Sequence, residues 1–211
     1  VIGQAALVPP YWAQAKRALA RRDPALGGLI RAFPGIALRS RGDAFQTLAR
    51  SIVGQQISVK AAESVWTRLA AATAPLAPRS VLAAGPERLR ACGLSARKVE
   101  YLHDLARRFD EGTVRPGRWP AMDDEAVIAE LAQVRGIGRW TAEMFLIFNL
   151  LRPDVLPVDD LGLRRAVSEH YAGGLPVSAD GLRTIGAQWR PWRSVATWYL
   201  WRSLDPVPVE Y

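Results

Sequence analysis

Apolar residues recur along this chain at three- and four-residue intervals almost from end to end, and sustained two-residue alternation is nearly absent. That period predicts helices. Pro9-Pro10 opens a first one running to about Arg22, and Asp23-Pro24 punctuates before a second over roughly 25–32. Pro34-Gly35 ends it. A third spans Asp43 to Val53, with Phe45, Leu48, Ile52 and Val53 on one face. Gly54-Gln55-Gln56 interrupts, and a long helix follows from about Ser58 to Ala72, striped by Ala61, Ala62, Val65, Trp66 and Leu69. Residues 74–86 are rich in proline, hold at most one short helix on this reading, and suit a crossing between lobes. Ser95 is placed to cap a helix reaching about Phe109, in which Val99, Leu102, Leu105 and Ala106 repeat at helical spacing. Residues 112–120 read as a loop. Asp123 caps a helix ending near Val134, and the next, Gly138 to Leu150, is stopped by Arg152-Pro153. Shorter helices at Asp160–His170 and Ala179–Ala187 precede a last one from Pro191 to about Leu204. About ten helices and no convincing strand predict an all-α fold.

At 211 residues the chain can bury a sizeable core, as one domain or as two closely packed helical lobes. Lys and Arg number 28 against 20 Asp and Glu, and the resulting charge of +8 suits a polyanionic partner without identifying one. The single cysteine, Cys92, excludes an intrachain disulfide and a four-cysteine zinc or iron–sulfur site. Two histidines far apart, His103 and His170, argue against a histidine metal centre. No run of eighteen apolar residues and no signal-peptide pattern appear, so the expectation is a soluble intracellular protein without a membrane partner.

Candidate chemistry concentrates in Val134-Arg135-Gly136-Ile137-Gly138-Arg139-Trp140-Thr141-Ala142 and, about twenty residues on, Pro157-Val158-Asp159-Asp160. Two glycines one residue apart between helices allow a positive φ and a close backbone approach. Unpaired N–H groups at the start of the second helix, with the helix dipole and with Arg135 and Arg139 nearby, suit an anion. Such a site grips a phosphate without reading bases. The same glycines also fit a tight corner between helices that serves packing alone.

The longer pattern resembles the helix-hairpin-helix (HhH-GPD) DNA glycosylase superfamily: the hairpin over about 124–150, then the Gly/Pro loop and aspartate over 152–160. Three further stretches are similar to its AlkA-type branch, the 3-methyladenine DNA glycosylase II group. They are Ser51-Ile52-Val53-Gly54-Gln55-Gln56-Ile57-Ser58, Gly93-Leu94-Ser95-Ala96-Arg97-Lys98 and Trp189-Arg190-Pro191-Trp192-Arg193-Ser194. The resemblance runs in register from about Phe45 to Leu204. It implies two helical lobes, with crossings near 74–86 and near 190 and an active-site cleft between them.

The resemblance also implies an activity: flipping an alkylated purine out of double-stranded DNA and hydrolysing its N-glycosidic bond during base excision repair. Breaking that bond puts positive charge on the sugar, and a fixed carboxylate stabilises it. Asp159 and Asp160 compete for this role. The second Asp of the pair is the catalytic one in the family, which assigns Asp160 and leaves Asp159 to cap the helix at Leu161; both serving only as helix-start residues is the alternative. Family members that also nick the strand carry a nucleophilic lysine where this chain has Trp140, so the resemblance implies a monofunctional enzyme.

Trp201 matches the position where an indole stacks on the flipped base, and a cationic purine suits an indole face. Trp140, Met144 and Leu161 complete the implied base pocket; the last two replace possible tyrosines. Eight tryptophans also fit plain core packing, expected for Trp198 and Trp66. Gln56, with Gln55, matches the residue that fills the gap left in the duplex, or else satisfies loop backbone groups. Phosphate contacts fall to Arg135, Gly136, Ile137, Gly138, Arg139 and Thr141. No cofactor is required and no iron–sulfur cluster is expected; a structural sodium or potassium ion on the carbonyls of Ala132, Val134 and Ile137 is implied by resemblance alone. A monomer is the default, working in the cytoplasm or nucleoid of a bacterium or otherwise in a nucleus. A glycosylase for oxidised or mismatched bases and a non-catalytic hairpin module that only binds DNA are the alternatives.

Overall fold

The computed structural model describes residues 8–40 and 42–205. Among them are eleven α-helices and no strand, as the periodicity predicts. The chain forms two compact units: residues 8–40 with 146–205, and residues 42–145. The helices are α1 Trp12–Arg22, α2 Pro24–Ala32, α3 Ala44–Gly54, α4 Val59–Ala72, α5 Pro78–Ala91, α6 Ala96–Asp110, α7 Asp124–Leu131, α8 Arg139–Phe148, α9 Leu161–Tyr171, α10 Ala179–Ala187 and α11 Arg193–Leu204. None is long and apolar enough to cross a membrane.

Most helix starts were written locally. A side-chain oxygen at the position before the helix accepts the N–H three residues on, from Leu26 at Asp23, Gln46 at Asp43, Lys98 at Ser95 and Ala126 at Asp123. Two stretches differ from expectation. Residues 78–91 are helical because Pro78 stands at a helix start, where its missing N–H costs nothing, and Pro86 restarts the helix after Gly85 turns to φ +71°. Within 112–120, residues from Pro116 enter a 3-10 turn, Pro116–Ala121, seated by the buried Trp119. Residues 74–86 and Pro191 therefore lie inside units, and the units instead divide at 41–42 and 145–146.

In the unit of 42–145, α6 presents Val99, Leu102, Leu105 and Ala106 to the core, packed by α3 and α5. Lys98 Nζ closes the end of α3 on the Val53 carbonyl at 2.7 Å, and burial pulls its pKa down. Trp66 is only half-buried, with the Arg50 guanidinium 5.6 Å over its ring.

In the other unit, α11 is buried on nearly every side from Ser194 to Leu200, between α1, α2 and α9. Trp198 sits in that core, as expected, with Trp12 at 5.3 Å and Tyr199 at 5.1 Å. The polar centre of the unit is Asp23, which is buried. Its Oδ2 accepts from Tyr171 Oη (2.7 Å) and Trp189 Nε1 (3.0 Å), while Oδ1 caps α2. Burial raises the Tyr171 pKa, and the bond to Asp23 raises it further. Asp23→Ala strands three donors, two buried and one half-buried. The expected loss is about 3 kcal/mol or more, read as a melting temperature lower by roughly 6–12 °C. A shift of a degree or two would show that Asp23 is not central to the unit.

Candidate active site

Two local constructions carry the candidate chemistry, one in each unit. The first is the hairpin between α7 and α8. Val134 and Ile137 are buried and close a tight turn, the Ile137 N–H donating to the Val134 carbonyl at 3.0 Å. Gly136 takes φ +82°, and a Cβ there would lie 2.1 Å from the Tyr101 ring. Glycine is required on both counts. Gly138 is different: it is exposed, its φ is ordinary, and a Cβ would meet nothing within 4 Å. The first-turn N–H groups of α8 lie beside it, without acceptors inside the helix.

Side chains from α6 and the α3–α4 turn hold this hairpin. Gln55 Nε2 donates to the Gly136 carbonyl at 2.8 Å. Asp104 Oδ2 accepts the Arg135 N–H at 2.9 Å, and Asp104 also takes Arg107 (2.6 Å) and Arg108 (3.0 Å). Burial alone would raise the Asp104 pKa, but the Arg135 N–H and the two guanidinium bonds outweigh it and leave the carboxyl below the ordinary range. The Arg135 side chain itself is exposed.

Three of the residues assigned from sequence also make contacts within the hairpin. Gln55 is a brace for the hairpin, since its amide is spent on Gly136. Arg139 is clamped in two-pronged fashion by Glu125 (2.9 and 2.5 Å) and again by Glu143 (3.0 Å). Those bonds raise its pKa and commit its charge to joining α7 and α8. Ile137 contributes a buried side chain and a spent N–H, and Gly138 is the exposed position of the turn. Gln56 is exposed in a left-handed conformation (φ +59°), beside the exposed apolar Ile57 and Val59. Thr141 is half-buried on α8. The carbonyls of Ala132, Val134 and Ile137 share the hairpin, and that of Val134 already takes one N–H. A neutral donor set of this kind fits a monovalent cation. Among the described residues no group of three or more His, Cys, Asp or Glu is arranged for a metal.

The second construction surrounds Asp160. Its backbone is extended at the start of α9, and Oδ1 accepts both the Leu163 N–H (2.6 Å) and Trp201 Nε1 (2.8 Å). Asp160 is thus itself the helix cap. The cap expected of Asp159 is not made; that residue is exposed and pairs with Arg164 at 3.5 Å. Trp201 is half-buried, with Phe148 stacked on it at 5.8 Å and 12°. A Cβ on Gly162 would lie 3.2 Å from Asp160 Oδ1 and 3.5 Å from the Trp201 ring. Glycine there leaves the carboxylate and indole uncrowded. Asp160 is 9% exposed, while Leu161, next to it, is 79% exposed.

Of the residues assigned from sequence, Asp160 and Trp201 meet directly. Met144 is buried and Trp140 is 40% exposed, one turn apart on α8. Phe148 and Gly162 were missed. Phe148 continues the four-residue spacing of Trp140 and Met144 along α8, so its helical stripe was visible; its stacking partner was not.

The family model described as HhH-GPD superfamily base excision DNA repair protein matches residues 49–175. The chain is 32% identical over 197 residues to DNA-3-methyladenine glycosylase 2 of Escherichia coli, covering 88% of this chain and 67% of that protein. It is similar in fold to a DNA-3-methyladenine glycosidase from Bacillus halodurans (TM-score 0.83, 32% identity, 96% of this chain and 93% of that one). It is also similar to the Schizosaccharomyces pombe 3-methyladenine DNA glycosylase Mag1 in complex with abasic DNA (TM-score 0.76, 29% identity, 93% and 100%). The Bacillus subtilis protein YfjP is 35% identical over 128 residues, and the match spans 45% of its length.

The two hairpin glycines separate folding from binding. Gly136→Ala should lose about 2 kcal/mol or more through backbone strain and the Tyr101 clash. Gly138→Ala should unfold within about 0.5 kcal/mol of the parent yet bind a DNA duplex at least about tenfold more weakly. Thermal unfolding and fluorescence anisotropy read the two effects. Parental duplex affinity in Gly138→Ala would remove this turn from the binding surface.

Proposed function

The chain belongs to the HhH-GPD superfamily of base excision DNA repair proteins, and we propose that it is a monofunctional DNA glycosylase removing alkylated purines of the 3-methyladenine type. The observation that carries this reading is Asp160, a mostly buried carboxylate held through one oxygen by a helix N–H and by the Trp201 indole.

The reaction asks little of the protein beyond position and charge. The glycosidic bond breaks, the base leaves with the electron pair, and positive charge develops on the sugar. Asp160 stabilises that charge; a water oxygen then bonds to the anomeric carbon and gives up a proton. An alkylated purine is already cationic and leaves readily, so one carboxylate suffices. Trp201 presents an indole to the extruded base and keeps Asp160 oriented. Gly138 and the start of α8 hold a backbone phosphate, with the exposed Arg135 adding charge. A sodium or potassium ion on the carbonyls of Ala132, Val134 and Ile137 would lend positive charge beside that phosphate. Gln56, exposed at the α3–α4 turn, fills the vacated stack.

Monofunctional chemistry follows from the amines available. Trp140 offers none, and the chain's lysines are Lys16 on α1, Lys60 on α4 and Lys98 on α6. The enzyme acts on double-stranded DNA as a monomer and leaves the abasic strand uncut.

Asp160→Asn is the direct test, because asparagine still caps a helix. Duplex binding should persist, while release of free bases from DNA treated with a methylating agent falls at least about a hundredfold. Parental release in this variant would end the assignment; release only from oxidised or mismatched duplexes would redirect it. The two glutamines should separate as well. Gln55→Ala is expected to weaken undamaged and abasic duplexes alike by loosening the hairpin, and Gln56→Ala to weaken chiefly the abasic one. Equal profiles for the two variants would contradict this division.

A further inference from the structure

Asp160 and Trp201 meet through one hydrogen bond, yet they lie on different segments: the end of the 152–160 loop and the last turns of α11. That loop contains no regular structure, and the six residue steps from Asp154 to Asp160 could extend to roughly 20 Å. From Arg193 to Trp201, eight residues of helix fix about 12 Å. The slack in the loop must be taken up for the carboxylate to stop at the indole. The first turn of α11 does this.

Arg193 binds Asp154 from several directions. Its Nε reaches Oδ1 at 2.7 Å, one terminal nitrogen reaches Oδ2 at 3.0 Å and the Asp154 carbonyl at 2.8 Å, and its N–H reaches Oδ1 at 3.3 Å. Ser194 is fully buried. Its hydroxyl donates to the Arg152 carbonyl (2.6 Å) and accepts the Val155 N–H (2.9 Å), and its own N–H donates to the Pro153 carbonyl (3.0 Å). Every residue from 152 to 155 is therefore tied to two adjacent residues of α11. At the far end of the loop, Arg164 of α9 holds the Val158 carbonyl at 2.7 Å, and the Asp160 N–H donates to the Pro157 carbonyl at 3.1 Å.

We propose that Asp154, Arg193 and Ser194 are positioning residues, a clasp that sets the register of the loop bearing Asp160 against the helix bearing Trp201. The proposal rests on the glycosylase reading and goes beyond it by naming residues remote from the base. The bonds of Ser194 fix peptide groups, and the planar fork of Arg193 fixes direction as well as charge, which an ammonium does not reproduce. Displacing a reacting group by about 1 Å is enough to cost on the order of a hundredfold in rate.

The test compares Ser194→Ala, Arg193→Lys and the parent. Three quantities are measured: melting temperature, duplex dissociation constant, and single-turnover release of a methylated purine from DNA. The clasp requires release to fall about ten- to a hundredfold in both variants, with dissociation constants within about twofold of the parent. Arg193→Lys keeps the charge; if its release matches the parent's, whatever its melting temperature, the fork sets no register and the proposal is overturned. Should Ser194→Ala not fold, Asp154→Asn replaces it under the same criteria. A loss confined to duplex affinity would also overturn the clasp. Absence of base release by the parent would instead defeat the glycosylase reading, and the clasp with it.

Discussion

A single oxygen, Oδ1 of Asp160, accepts two N–H groups, and much of one unit is arranged around that fact. The Leu163 N–H belongs to the first turn of α9, where a buried donor requires an acceptor whatever the protein does. The Trp201 indole belongs to α11, whose burial leaves the helix little freedom to move. A carboxylate that satisfies both cannot rotate without stranding a donor. Pre-orientation of the candidate catalytic group is thus a by-product of ordinary helix capping, extended by one indole. Gly162 belongs to the same arrangement, since a Cβ there would press on the Asp160 carboxylate and touch the Trp201 ring.

The hairpin unit solves a related problem with a different carboxylate. Asp104 lies on α6 and accepts a main-chain N–H of the hairpin, while Gln55 supplies an N–H to the hairpin's carbonyl. Between them, the peptide groups flanking Gly136 are fixed by side chains from elsewhere in the sequence. The hairpin therefore presents Gly138 and the start of α8 from a rigid base. Several cations of this unit are committed to carboxylates: Arg107 and Arg108 are occupied in holding Asp104, as Arg139 is by Glu125 and Glu143.

This separates what the sequence made legible from what it concealed. Helix starts at Asp23, Asp43, Ser95 and Asp123 were readable because a cap bonds three residues ahead. The hairpin and Asp160 were readable because their residue types and spacing are themselves the requirement. The proline-rich stretch 74–86 holds one short helix, as expected, but Pro86 starts a second helical segment that carries on to Ala91. The partners of Gln55 and Arg139 were hidden for another reason. Long polar side chains choose partners in three dimensions, 81 residues away for Gln55, and no local pattern records that choice. Phe148 lay on a visible helical stripe, but only packing reveals that it covers Trp201. Asp159 and Asp160 were separable for catalysis by resemblance, whereas the cap fell to Asp160 because its φ and ψ are extended and its Oδ1 meets the Leu163 N–H.

Two ion-paired carboxylates of the hairpin unit, Asp104 and Glu125, also give its stability a definite pH dependence. The Asp104 pKa is held below the ordinary range because the three donors outweigh the effect of burial, and Arg139 lowers that of Glu125. A carboxyl depressed on folding contributes stability that is fully present above its unfolded value and is lost as pH falls through the folded one. Acid would therefore attack the brace of the hairpin only below the usual carboxylate range. Asp104 carries more of this effect than Glu125, whose side chain is 70% exposed and screened by solvent. Around neutrality both pairs are intact, and the charge of Arg139 stays committed to the joint between α7 and α8. In the proposed phosphate site the contact would then fall to the exposed turn at Gly138, with the exposed Arg135 beside it. Backbone donors on a braced turn bind without side-chain ordering, which suits an anchor that must grip any sequence while a single base is examined.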